Sequence, residues 1–186
     1  LKGTAFSQPL SVKVSSSNGD PVGPGGKVAF SAPTSGAGLT ASSFTADTDA
    51  FGIAGQSVTA NSTGGSYTVS AAAAGAGSTA SFNLTNNSAP TANAGGPYPV
   101  NEGSSVTLSG SGSSDPDGDS LIYRWDLDGD GTFGETGEIG QLVSYVAADG
   151  PDTKTVSLKV TDSHGATSST DTATITISNV APSAPD

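Results

Sequence analysis

Apolar residues in this chain recur at every second position, and no window carries them at the three-to-four spacing of a helix face. In LSVKV (10–14), Leu10, Val12 and Val14 share one side, as Val28 and Phe30 do in KVAFSA (27–32). SYTVSA (66–71) and ASFNLT (80–85) repeat the pattern with Tyr67 and Val69, then with Phe82 and Leu84. Successive side chains of a strand point to opposite faces, so this period predicts half-buried strands. Between the runs lie NGDPVGPGG (18–26), PTSGAG (33–38) and NSTGG (61–65), which are turn-forming stretches. AAAAGAG (71–77) has two glycines and no large apolar anchor, and it reads as a loop.

The second half has the same style. SVTLSG (105–110), LIYRWDL (121–127), LVSYVA (142–147), KTVSLKVTD (154–162) and TATITIS (172–178) each alternate. Short strands separated by Gly, Pro and Asp turns predict an all-β chain of sandwiches. Trp125 shares a face with Leu121 and Tyr123 and is expected to anchor a core. Leu, Ile, Val and Phe together make under a fifth of the residues, so each core is expected to be thin.

Charge divides the chain in two. Residues 1–88 hold three lysines and three aspartates, while residues 89–186 carry the whole net charge of −11. A neutral half and an acidic half predict two domains of different chemistry. Neither half has the basic patch that phosphate binding requires, which excludes nucleic acid as the expected partner. Without cysteine, no disulfide staples the fold. No apolar run reaches the roughly 20 residues of a membrane span, and no signal peptide is evident. A chain opening on Leu1 is expected to be a segment of a longer protein.

A repeated junction supports that expectation. NSAPTA (87–92) joins the halves and NVAPSA (179–184) closes the chain, both of the form N-x-A-P-[ST]-A. Proline removes a ladder donor and restricts the residue before it, so Ala-Pro suits a strand end entering a linker. The expected boundaries are 1–87, 88–180 and a linker start at 181–186, with a further domain beyond.

The segment PTANAGGPYPVNEGSSVTLSGSGSSDPDGDSLIYRWDLDGDG, with KVTDSHGA later, closely resembles a PKD (polycystic-kidney-disease-type) domain over residues 90–180. AFSQPLSVKVSSSNGDPVGPGGKVAFSAP, ADTDAFGIAGQSVTA and GGSYTVSA resemble a bacterial Ig-like domain of the invasin/intimin (Big) kind over residues 4–86. The resemblance implies two tandem Ig-like β-sandwich domains of a bacterial extracellular or cell-surface protein. It also implies a strand before AFSQPL that only Leu1–Thr4 could supply here, so a neighbouring subunit is expected to complete that edge.

Two tracts suit calcium, a hard cation that takes 6–8 oxygen ligands. They are DPDGD (Asp115, Asp117, Asp119) and DLDGDG (Asp126, Asp128, Asp130), in which alternate aspartates can converge and glycine permits the bend. An EF-hand starting at Asp126 would need a glutamate at its twelfth position, which is Gly137; Glu135 and Glu138 fall at the tenth and thirteenth. The flanks are strands where an EF-hand has helices. That leaves a calcium loop on a β-scaffold, with Asp126, Asp128 and Asp130 as ligands, or a solvated hairpin turn. For the first tract, the PKD resemblance implies a calcium site built from Asp115, Asp117 and Asp162 with Asn87 and Ser88 at the domain junction. Ordinary turn aspartates are the alternative.

Catalysis is not expected. The carboxylates sit in Gly/Pro turns and are not opposed across a cleft, as glycoside hydrolysis requires. His164, the one histidine, lies in a turn and is expected to be solvated. No phosphate-binding glycine motif is present. Sequons at Asn61, Asn83 and Asn86 are expected by chance in a Ser/Thr-rich bacterial chain. The expected role is a structural or adhesive rod or filament segment rigidified by calcium, with neighbouring domains or subunits as partners. The alternative is an accessory module of a secreted hydrolase that engages polysaccharide or a fibrous host or matrix protein. Exposed aromatic rings would favour that alternative, and Tyr98 in GGPYPV is the ring least explained by core packing.

Overall fold

Alternating segments become strands throughout, and a computed structural model describes residues 1–181. Residues 182–186, most of the expected linker, lie outside the described residues. The chain divides into two compact units, Leu1–Ser88 and Ala89–Asp186. No helix occurs among the described residues, and therefore none long and apolar enough to cross a membrane.

The first unit contains β1 (Leu10–Lys13), β2 (Lys27–Ser31), β3 (Ser43–Asp47), β4 (Ile53–Gln56), β5 (Gly65–Ala73) and β6 (Ala80–Asn86). One sheet has the order β3-β2-β5-β6 and the other pairs β1 with β4, all antiparallel. Leu10 and Ala54 from the small sheet pack on Val28, Phe30, Val69 and Ala71 from the large one. The register sets Phe30 opposite Phe44, where the rings stack with centroids 4.7 Å apart. Such a pair adds about 0.5–1.5 kcal/mol beyond the area it buries.

The second unit contains β7 (Tyr98–Asn101), β8 (Ser105–Ser109), β9 (Ile122–Asp126), β10 (Leu142–Val146), β11 (Asp152–Thr161) and β12 (Asp171–Ser178). The sheet β7-β12-β11-β9 faces the pair β10-β8. Its ladders are antiparallel except β7 with β12, which run parallel. Trp125 is fully buried at the centre, as its strand face predicts, and its Nε1–H donates to Gly140 O at 3.0 Å.

Three details differ from the sequence reading. Ala71–Ala73 is the end of β5 and not a loop, because Ala71 and Ala73 stand opposite Phe30 and Val28 in the ladder to β2. Strands β3, β4 and β7 carried too few large side chains to be recognised, and each buries one small or medium residue: Ala46, Ala54 and Val100. Tyr98 packs against the second core, and its hydroxyl donates to Ala94 O at 2.8 Å and accepts Ser109 N–H at 3.0 Å. Core packing therefore accounts for this ring.

Candidate metal centre

The DPDGD tract folds as a turn organised by its first carboxylate. Asp115 Oδ1 accepts the N–H groups of Asp117 at 2.8 Å and Asp119 at 3.3 Å, the local bonding that makes aspartate a turn residue. Its other oxygen, Oδ2, is buried without a hydrogen-bond partner. Asp162, 3% exposed just past the end of β11, shapes a second turn by accepting the N–H groups of His164 and Ala166 at 2.9 and 2.8 Å on Oδ1. Carboxylate oxygens of Asp115, Asp119 and Asp162 lie within 4.8 Å of one another. Like charges so close repel, and an orphaned buried acceptor is costly, so the donor set fits a hard cation.

Asp119 is the member the sequence reading left out of this site, although it is the third aspartate of the tract. It also bridges the two turns: Oδ1 accepts the Ser163 hydroxyl at 2.8 Å and Oδ2 lies 2.9 Å from His164 Nδ1. His164 is thus an aspartate partner, not merely a solvated turn residue. Asp117 is exposed and supplies its N–H to Asp115. Asn87 and Ser88 are buried at the end of the first unit, where Asn87 O accepts the Lys2 N–H at 2.8 Å.

The second tract is more enclosed than a solvent-facing loop. Asp126 is 4% exposed, and its two oxygens accept Gly129 N–H at 2.7 Å and Gly131 N–H at 3.1 Å. Both glycines have positive φ, 80° and 88°, which lets the chain wrap around the carboxylate. Asp128 and Asp130 are exposed and accept the N–H groups of Asp130 and Thr132. Asp126 is turned inward and receives these backbone donors, a placement that alternation does not reveal.

Glu138 closes this loop. It is 5% exposed, and its oxygens accept Leu127 N–H at 2.8 Å and Glu135 N–H at 3.3 Å. Two overlapping groups result, Asp126–Asp128–Asp130 and Asp128–Glu135–Glu138, each with oxygens within 4.8 Å. The Asp130 charge, followed by desolvation and the charges of Glu138, Asp128 and Asp126, holds Glu135 above the usual carboxylate range. Neither glutamate stands at an EF-hand position, so no spacing rule pointed to them.

Two Ig-like sandwiches, the second with acid-rich turns, define an all-β chain of two domains. Residues 87–177 match the family model of the PKD domain, and the second sandwich is a PKD domain. The first is Ig-like: over 87% of this chain, the fold resembles the C-terminal 282-residue fragment of intimin solved in complex with the translocated intimin receptor (Tir) intimin-binding domain, at TM-score 0.54 and 20% identity. At that identity the likeness is one of fold, and the chain spans 55% of the intimin fragment. Weaker likenesses are the D0-D1 domain of intimin (TM-score 0.36, 15% identity, 92% of each chain) and the fibronectin(III)-like modules of Clostridium thermocellum CbhA. The CbhA match has TM-score 0.38 and 18% identity, covering 96% of this chain and 87% of that one. No curated protein matches the chain by sequence.

Proposed function

We propose that this chain is a non-catalytic structural or adhesive segment of a bacterial extracellular surface protein, and that calcium stabilises its acidic sandwich. The observation that supports it is the Asp115–Asp119–Asp162 cluster, with the Asp115 Oδ2 atom buried and unpartnered. The first unit is neutral, while the second holds the net charge of −11 and both acidic turns. Calcium at Asp115, Asp119 and Asp162 would relieve their repulsion and tie two turns that are 43 or more residues apart in sequence. Asp117, Asn87 and Ser88 remain proposed contributors, and Asp126, Asp128 and Asp130 a proposed second site. The domains are proposed as 1–87 and 88–180, with neighbouring domains or subunits as partners.

Thermal melts of the full chain in calcium and in EGTA, with calorimetric titration of calcium chloride, test this. A rise in Tm with saturable heat is expected, and an unchanged Tm with no heat would sink the calcium reading.

One exposed ring favours the second reading, an accessory module that engages polysaccharide or fibrous protein. Phe51 is 71% exposed beside Ile53 at 42%, on a turn fixed by Asp49 Oδ1, which accepts both their N–H groups at 2.8 and 2.9 Å. A rigidly presented aromatic suits a flat ligand surface. Retention on insoluble polysaccharide or collagen that Phe51→Ala abolishes would support this reading.

A further inference from the structure

The first unit is a sandwich left open along one side. Strand β1 has a single ladder partner, β4, and β6 has only β5. Val14 N–H bonds to Gly52 O, so the alternation of an antiparallel ladder turns the N–H groups of Ser11 and Lys13 away from β4. Between the two edges lies a cleft that reaches the core. One part, of 230 Å³, is lined by Val12, Val14, Ala71, Ala73 and Ala80. A neighbouring part of 530 Å³ continues along Val14 and the β5–β6 turn. The apolar faces of both edges are only half covered: Val12 on β1, Val14 just past its end, and Phe82 and Leu84 on β6 pack on the core cluster without being buried. Small alanine side chains form the floor, so the cleft lacks apolar volume and a row of backbone partners together.

The charge lining this cleft is positive. Lys13 lines it and no carboxylate does. Lys13 makes no ion pair among the described residues. We infer that the cleft between β1 and β6 is a strand-addition site for an extended acidic segment of a separate protein chain. That segment would extend the β1 sheet through the Ser11 and Lys13 N–H groups and place large apolar side chains, at alternate positions, over Ala71, Ala73 and Ala80. A carboxylate beside the apolar run would meet Lys13. Strand addition draws affinity from main-chain bonds and specificity from alternate pockets, and both elements are present here. The inference is independent of the calcium reading, since no residue of either acidic turn takes part.

The test uses the full chain and a seven-residue peptide that alternates valine and threonine between terminal aspartates. Saturable binding is expected, with slowed amide exchange at Ser11 and Lys13. Lys13→Glu is expected to weaken binding about threefold, the scale of one exposed ion pair. Ala73→Leu, which fills the cleft, is expected to abolish it while circular dichroism shows a folded chain. Absence of protection at Ser11 and Lys13 under saturating peptide overturns the inference. Equal binding of a peptide with lysine ends overturns the acidic partner. Self-association of the chain that the peptide reverses assigns the cleft to a second copy and also overturns it.

Discussion

The Glu138 side chain holds Leu127 across eleven residues of loop, accepting its N–H on Oε1 at 2.8 Å, while Glu138 O accepts the Trp125 N–H at 2.8 Å. Backbone and carboxylate of one residue thus fix the chain on both sides of Asp126, where the turn begins. Removing the carboxylate leaves a part-buried N–H unsatisfied, at about 1 kcal/mol, the low end for a lost acceptor. Glu138→Ala is expected to lower the stability of the second unit by that amount, and Glu138→Gln, which keeps one acceptor oxygen, by less. Urea unfolding followed by the fluorescence of Trp125, the single tryptophan, measures it.

Asp115 Oδ2 is the buried acceptor that a bound cation would satisfy. Asp115→Asn keeps Oδ1 as the turn acceptor and removes the charge. If calcium binds there, wild type gains about 2.7 kcal/mol at a hundredfold excess over the dissociation constant, and the variant loses most of that gain. In EGTA the variant is expected to melt no lower than wild type, because repulsion within the cluster falls. Paired melts with and without calcium read both effects.

Glu135 has its folded-state pKa raised, chiefly by the Asp130 charge. The folded state therefore binds this proton more tightly than the unfolded state, and stability in EGTA falls as pH rises through the raised pKa. The penalty is fully present above that value and absent below the unfolded value of about 4.3. Glu135→Gln is expected to melt higher than wild type at neutral pH in EGTA, with the difference vanishing in acid. Tm against pH for the two proteins checks this.

Glu102 shows the opposite sign. Its oxygens accept Val180 N–H at 2.8 Å and Gly150 N–H at 2.9 Å, and these bonds, Val180 first, hold its carboxyl below the usual range. The contribution is present above the unfolded pKa of about 4.3 and is lost as pH falls through the lower folded value. Glu102→Gln is expected to melt lower than wild type at neutral pH, with the two curves converging in strong acid.

Sequence alone determined that this chain is all-β, that its acidity is confined to the second half, and that Trp125 is a core residue. Those features are local: alternation fixes which side chains share a strand face, and charge needs only counting. It also located both acidic tracts, because alternate aspartates with glycine are a short-range pattern. Tertiary structure decided which carboxylates meet. Asp162 reaches Asp115 and Asp119 only when the end of β11 lies beside the DPDGD turn, and Asp119, bonded to Ser163 and His164, gains its place from that approach. Glu138 likewise became a loop-closing residue through the Leu127 N–H, a backbone donor eleven residues away. The edge of β1 and the alanine floor facing it are equally non-local, since a strand becomes an edge only through the neighbours it does not acquire. Period and spacing act within a few residues, whereas burial, repulsion and unpaired edges belong to the packed sheets.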